Sequence, residues 1–249
     1  MHTLDEGGTV ADSRRNSVIV TTFAPLPSLD ELLASSIWAR DLDSGMLARV
    51  RAETAERALP PGGYACRKGE PVEHWIGVID GLLKLAIVSP EGKAATLTGV
   101  AAGGWFGEGS LLKTEPRRYD AVALRATRIA LMPRATFYRL LDSSIGFNRF
   151  LLRQLNERLA QFIAMLEYER LLEPDARIAR CLAWLFNPFL YPGVGQRLRV
   201  SQEEIGFLSG LSRQRVNQAL RTLEKGGLLQ TEYGGITVLD VEGLERYGG

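Results

Sequence analysis

The sequence predicts an α+β chain with an antiparallel β unit first, a long helix next and a pair of short capped helices near the end. Three textures predict it. Residues 64–132 run as short apolar stretches punctuated by glycine, residues 145–172 hold an unbroken helical period, and two helix-start signals follow in quick succession from Ser201 onward.

Length and composition set the frame for these elements. The 249 residues carry 45% hydrophobic and 24% charged side chains, inside the globular range and enough for one large domain or two ordinary ones. No apolar run reaches the ~18 residues of a membrane span, and the acidic start MHTLDEGG lacks the basic-then-apolar order of a secretory signal. A cytoplasmic protein with no membrane partner is expected. Cys66 and Cys181 are too few for a disulfide framework, and with only His2 and His74 beside them they form no cluster at metal-ligand spacing. With a net charge of +1, attraction for a polyanion must come from local clustering.

Residues 1–28 mix Gly, Ser, Thr, Pro and charge without period and read as a disordered tail. Across 29–59, Leu32, Leu33, Ile37, Trp38, Leu42, Leu47 and Val50 recur mostly at threes and fours, predicting short amphipathic helices broken near Asp43. Pro60-Pro61-Gly62-Gly63 ends any helix. The runs HWIGVIDG, LLKLAIVSPEG, KAATLTGVAAGGWFGEG and YDAVALRATRIALM then predict strands of a closed or folded-over antiparallel unit, with SPEGK at 89–93 as a hairpin turn.

After Pro133 the helical period returns. In residues 145–172, Phe147, Leu151, Leu155, Leu159, Phe162 and Leu166 step by fours and one three, a spacing that suits a helix packed against a like helix. Phe150, Leu152, Ile163 and Met165 add a second apolar side, more than one contact needs. Leu151, Leu155, Leu159, Phe162 and Leu166 are therefore the candidate homodimer contacts. Glu173-Pro174 breaks the helix, and residues 175–186 read as another.

The last segment carries the chemistry. Ser201-Gln202-Glu203-Glu204 is a capping box: the serine side chain accepts from the amide three residues on, and Glu204 reaches back. Ile205 and Leu208 would be buried, Gly210 suits a turn, and Ser212 caps a second helix that ends at Gly226-Gly227, suited to a left-handed cap. Burying Val216, Leu220 and Leu223 leaves Arg213, Gln214, Asn217, Gln218 and Arg221 outward, side chains able to read guanine and adenine edges. Residues 197–225 hold six basic side chains against three acids, a local excess of three in a chain that nets +1. TEYGGITVLD could add a hairpin wing over a phosphate strand.

Residues 199–225 resemble the winged helix-turn-helix of the Crp/Fnr transcription regulators, through QEEIG, then G-x-S-R-x-x-V, then L-x-x-L-E. The resemblance extends from about Leu29 onward. It implies an N-terminal double-stranded antiparallel β-roll (jelly-roll-like) at 29–142 with flanking helices, a dimerisation helix at 143–172 and a winged helix-turn-helix at 173–249. It places Arg213, Gln214 and Gln218 at base-reading positions. Arg199, Ser201, Gln202, Ser212, Arg215, Asn217 and Arg221 complete the candidate contacts to double-stranded DNA. Gln214 and Gln218 stand where well-known members carry Glu and Arg, which implies a different preferred operator.

WFGEGSL followed by EPRR resembles the phosphate-binding cassette of cyclic-nucleotide-binding domains. That likeness makes Gly107, Glu108, Gly109, Ser110, Arg117 and Arg118 the candidate effector site, with Glu108 on a ribose hydroxyl and Arg117 or Arg118 on a cyclic phosphate. Arg118 and Tyr119 are larger than the residues the family places there, so the effector is a cyclic nucleotide (cAMP or cGMP) or a ligand of a modified pocket. Residues 104–109 invert the dinucleotide fingerprint and show no helix pattern after them. No carboxylate pair, nucleophile-base set or phosphate loop supports catalysis. The expectation is a homodimeric, effector-controlled DNA-binding regulator, with RNA polymerase as a further partner. The alternative is an effector-binding or interaction protein without productive DNA binding.

Overall fold

The computed structural model describes residues 27–89 and 94–248. Most of the SPEGK turn and most of the expected tail lie outside them. The first described element draws on residues assigned to that tail: Ser28 caps α1 (Leu29–Ser35) in a capping box with Glu31, and the Pro27 carbonyl accepts from Arg128 Nη1 at 2.8 Å. After a 3₁₀ turn, α2 (Ser44–Glu53) starts on Asp43, whose carboxylate accepts from the Met46 amide.

The helical expectation for 29–59 stops short of its end. Residues of AERAL form β1 (Ala55–Leu59), an edge strand paired antiparallel with β8 (Thr127–Pro133). Only Leu59 of that strand is buried, so alternation never shows in the sequence, and the pairing overrides a helix-prone composition.

Two four-stranded antiparallel sheets follow. One runs β1-β8-β3-β6, with β3 (His74–Asp80) and β6 (Trp105–Phe106). The other runs β2-β7-β4-β5, with β2 (Tyr64–Cys66), β7 (Asp120–Ala123), β4 (Leu82–Val88) and β5 (Ala94–Ala101). Non-sequential neighbours in both sheets give a roll rather than a meander. Its core holds Val78, Leu83, Val100, Ala121 and Ile129, and an aromatic group at one end gathers Trp38, Trp75, Trp105, Phe137 and Phe147. A short helix, α3 (Glu108–Lys113), follows β6, contrary to the expectation of no helix there. It has six residues, too few to display a period.

Beyond α4 (Arg134–Ser143) lies α5 (Ile145–Leu171), capped by Ser144. Its apolar residues divide in a way the sequence spacing hides. Each step of four overshoots a 3.6-residue turn by about 40°, so a run of fours walks around the helix. Phe147 and Leu151 face the β-roll and are buried, whereas Leu155, Leu159, Phe162 and Leu166 have rotated outward into solvent. Leu151, 3% exposed, thus belongs to the core of its own chain and has almost no surface left for a dimer contact. Phe150 is buried too, stacked on Phe189 at 5.1 Å.

Past the break, α6 (Pro174–Trp184) carries Pro174 at its first turn. Then come β9 (Arg197–Leu198), α7 (Gln202–Ser209), α8 (Arg213–Lys225), the hairpin β10 (Leu229–Glu232) and β11 (Gly235–Val238), and α9 (Val241–Arg246). β11 pairs with both β10 and β9.

Candidate nucleic-acid interface and effector pocket

The interface begins with two caps. Ser201 Oγ accepts from the Glu204 amide at 3.2 Å while Glu204 Oε2 accepts from the Ser201 amide at 2.5 Å, the reciprocal box expected. Gly210 ends α7 at φ +68, where a β-carbon would crowd the next carbonyl. Ser212 Oγ accepts from the Arg215 amide at 3.3 Å and starts α8. At the far end Gly226 stays right-handed at φ −76, and the left-handed residue is Gly227 at φ +72.

Val216, Ala219, Leu220 and Leu223 of α8 are buried, and Arg213, Gln214, Gln218 and Arg221 are exposed or nearly so. Among the described residues neither Arg213 nor Arg221 is ion-paired, so both guanidinium groups are available to phosphate or base. Two expected contacts differ. Arg215 Nη2 lies 2.9 Å from Asp175 Oδ1 and braces α8 against α6, because its position turns it toward the helix packed there. Asn217 is half-buried and donates to Gln202 Oε1 at 3.4 Å, tying the two helices together rather than pointing out. Arg199 is exposed beside this edge, and the Ser201 and Ser212 hydroxyls, already accepting from amides, keep their own hydrogens to donate. The β10–β11 hairpin matches Glu232 with Gly235, leaving Tyr233 fully exposed at its tip.

The cassette is built in the opposite manner. Glu108 and Arg117 are both buried, at 5% and 4% exposure. Gly107 sits at φ +97, and a β-carbon there would collide with Arg117 Nη1, so only glycine lets the guanidinium lie so close to the backbone. Arg117 Nη2 donates to the His74 carbonyl, and among the described residues Nη1 has no partner. Glu108 accepts from Trp75 Nε1 at 3.4 Å. Arg118 turns outward instead and pairs with Glu115 at 2.6 Å, beside Lys113. Of the two candidate arginines, the fold places only Arg117 inside. Ser110 is buried and donates weakly to the Pro116 carbonyl at 3.5 Å, and Gly109 has open space around its α-carbon. Tyr119 packs on Phe106 in the same region, its hydroxyl made less acidic by burial. Burial lowers the pKa of His74, disfavouring its charged form.

Sequence reading missed the link between this cassette and α5. Gln154, Arg158 and Gln161 are buried on the face that continues Phe147 and Leu151. Gln154 Nε2 and Arg158 Nη2 donate to the Trp105 carbonyl at 3.3 and 3.4 Å, and Gln161 Nε2 donates to Thr98 Oγ1 at 3.0 Å. Arg158 Nη1 also donates to Tyr191 Oη at 2.7 Å, and that hydroxyl donates to the Gly99 carbonyl at 2.7 Å. Burial opposes the charge on Arg158, but Tyr191 and Glu108 more than offset it and raise its pKa. One polar row thus joins β5, β6, α5 and the loop after α6. Further contacts join the halves: Lys84 lies over the Phe207 ring at 4.2 Å, and Arg125 Nε is 3.9 Å from Glu204 Oε1.

Among the described residues no group of three His, Cys, Asp or Glu side chains could hold a metal ion, and no helix is long and apolar enough to cross a membrane.

Comparison with known proteins covers both sites. Residues 56–144 match the family model of the cyclic nucleotide-binding domain, and residues 176–247 that of the Crp-like helix-turn-helix domain. A CRP-like cAMP-activated global transcriptional regulator of Mycobacterium tuberculosis is 28% identical over 222 residues, 88% of this chain and 99% of its own length. Transcriptional regulator LdrP of Thermus thermophilus is 32% identical over 185 residues, 73% of this chain and 91% of its own. Among solved structures, a CRP-family transcriptional regulator from Thermus thermophilus has 29% identity and a TM-score of 0.54, over 76% of this chain and 95% of that one.

Proposed function

The chain belongs to the Crp/Fnr family of transcription regulators, and on that premise we propose how its two sites divide the work. It is a sequence-specific DNA-binding regulator controlled by a small effector. In our reading α8 enters the major groove, with Arg213, Gln214 and Gln218 on base edges. Arg199, Ser201, Gln202, Ser212 and Arg221 meet the backbone, and the hairpin flanks them. The observation that carries this is the division of α8 itself: a wholly buried apolar face and an outward face of uncommitted arginine and amide side chains.

The outward apolar side of α5 supports a homodimer. Leu159 and Leu166 are more than half exposed, an arrangement that a monomer in water gains nothing from, and a second copy of α5 would cover them with Leu155 and Phe162. Two α8 helices would then address half-sites about one helical turn, ~34 Å, apart. RNA polymerase is the partner through which such a promoter-bound dimer acts, the cytoplasm is where it works, and the reading assigns it no catalytic activity.

For the effector we propose a cyclic nucleotide, or another small phosphate ester with a free hydroxyl, held by Arg117 and Glu108. The relative from Mycobacterium tuberculosis is cAMP-activated by name, which favours this class. To bind phosphate, Arg117 would present the Nη1 edge that has no partner among the described residues. The polar row through Trp105, Arg158 and Tyr191 offers a route from the pocket to α5 and onward to the loop after α6. The test is selection of bound fragments from random-sequence DNA, with and without cyclic AMP or cyclic GMP. Enrichment of a two-fold-symmetric site is expected, with affinity falling steeply with salt. Absence of any salt-sensitive binding in all conditions would falsify the DNA-binding reading.

A further inference from the structure

A buried carboxylate requires donors, and Glu108 draws one from an unexpected place. Its partner is Trp75 on β3, whose indole N–H reaches Oε2 at 3.4 Å. The preceding residue, His74, supplies the carbonyl that accepts from Arg117. A single dipeptide of β3 therefore bonds to both buried charged groups of the cassette, although neither residue lies in the motif.

The indole cannot easily turn away. Trp75 is fully buried, stacked on Trp105 at 4.5 Å, and met edge-on by Phe137 and Phe147 at 5.6 Å. Packing on three sides fixes the direction of the N–H, and a donor with a fixed direction orients its acceptor. We infer that Trp75 is the positioning residue of the effector pocket, holding one oxygen of Glu108 so that the other is presented to a hydroxyl of the effector. This rests on the reading of Glu108 as the acceptor of that hydroxyl. It also accounts for a tryptophan where a purely apolar role would accept phenylalanine: the ring serves the core and the N–H serves the pocket.

The inference is tested with the full-length chain in two steps. The four tryptophans each give one indole N–H signal in nitrogen-15 magnetic resonance, assigned by single replacement. Glu108→Gln, without any ligand, is expected to move the Trp75 signal and leave that of Trp184, on α6, in place. An unmoved Trp75 signal overturns the inference. Cyclic AMP is then titrated into the wild type and Trp75→Phe, which keeps a ring in the stack but loses the donor. Affinity is expected to fall about two- to tenfold, the scale of one ordinary net hydrogen bond. The fall should vanish in a Glu108→Ala background, which removes the acceptor, and shrink with 2′-deoxy cyclic AMP. A loss that persists at full size in the Glu108→Ala background assigns Trp75 to packing alone and overturns the positioning role. Equal affinity of wild type and Trp75→Phe does the same while leaving the effector reading intact. A wild type that binds neither cyclic AMP nor cyclic GMP overturns the cyclic-nucleotide reading, and the positioning role with it, regardless of the indole result. A circular-dichroism spectrum and a cooperative thermal transition like those of the wild type show that Trp75→Phe has folded.

Discussion

In the β-roll, Arg117 and Glu108 are buried and bonded to the fold, whereas on α8 Arg213, Gln214 and Gln218 face outward and the fold spends its bonds on Ser212 and Arg215 beside them. Both sets would meet charged or polar partners, yet one is pre-oriented by neighbours and the other by the helix that carries it. The difference follows from what each must meet. A small ligand is enclosed, so its recognition groups are held by neighbours in its absence, and among the described residues one edge, Arg117 Nη1, is left over for it. Duplex DNA is a surface, so groups that meet it can wait in water. Changes to the inward set should therefore register in stability, and changes to the outward set in binding.

The sharpest break comes from Arg158→Ala. It removes donors from Tyr191 and Trp105 and leaves a cavity, and should cost about 2 to 4 kcal/mol of unfolding free energy. Chemical denaturation measures it, and a loss below about 0.5 kcal/mol, the range of an ordinary surface change, would erase the contrast. Arg213→Ala is the converse. Stability should stay within about 0.5 kcal/mol of wild type, while specific DNA binding weakens by about 1 to 3 kcal/mol with altered preference at one base position. A uniform loss over all operator sequences would reduce Arg213 to a phosphate contact. Smallest is Ser212→Ala, which withdraws the cap from α8. Both readouts should move together, by about 1 kcal/mol in stability and a parallel weakening for DNA, because the cap holds the turn that bears Arg213 and Gln214. Thermal unfolding and a binding isotherm on one preparation would show an uncoupled response if the cap is idle.

The DNA-binding half was the more legible in the sequence. Caps, glycine turn and apolar stripe are local signals, and Ser201, Gly210, Ser212, Val216, Leu220 and Leu223 all take the places those signals assign. Arg215 and Asn217 escaped because both are polar and only the tertiary packing of α8 on α6 and α7 decides which polar residues turn inward. The β-roll was legible as strands, not as a topology. Its strand β1 looked helical, since a mostly exposed edge strand has no alternation to display. On α5 the error had the opposite form. Gln154, Arg158 and Gln161 continue the buried stripe at helical intervals, but as polar residues they read as solvent-facing, and Leu151 was assigned to a partner that its own core has already replaced. Periodicity reports which residues share a face, and chemistry alone does not say which face is covered. The same limit hid Trp75, apolar by composition and a hydrogen-bond donor by position.

The ion pair between Arg215 and Asp175 has a mechanical consequence. Asp175 lies at the very start of α6, just past the break that separates it from α5, so the brace would clamp the recognition helix almost at the fulcrum if the chain bent at that break. Load applied near a fulcrum produces little movement there and much at the far end of the arm. A slight twist of α5 would accordingly swing the hairpin tip at Tyr233 through a wider arc than it swings the base of α8. In the homodimer proposed above, such a bend would change first how the protein embraces the flanks of its site, and only then how it reads the centre.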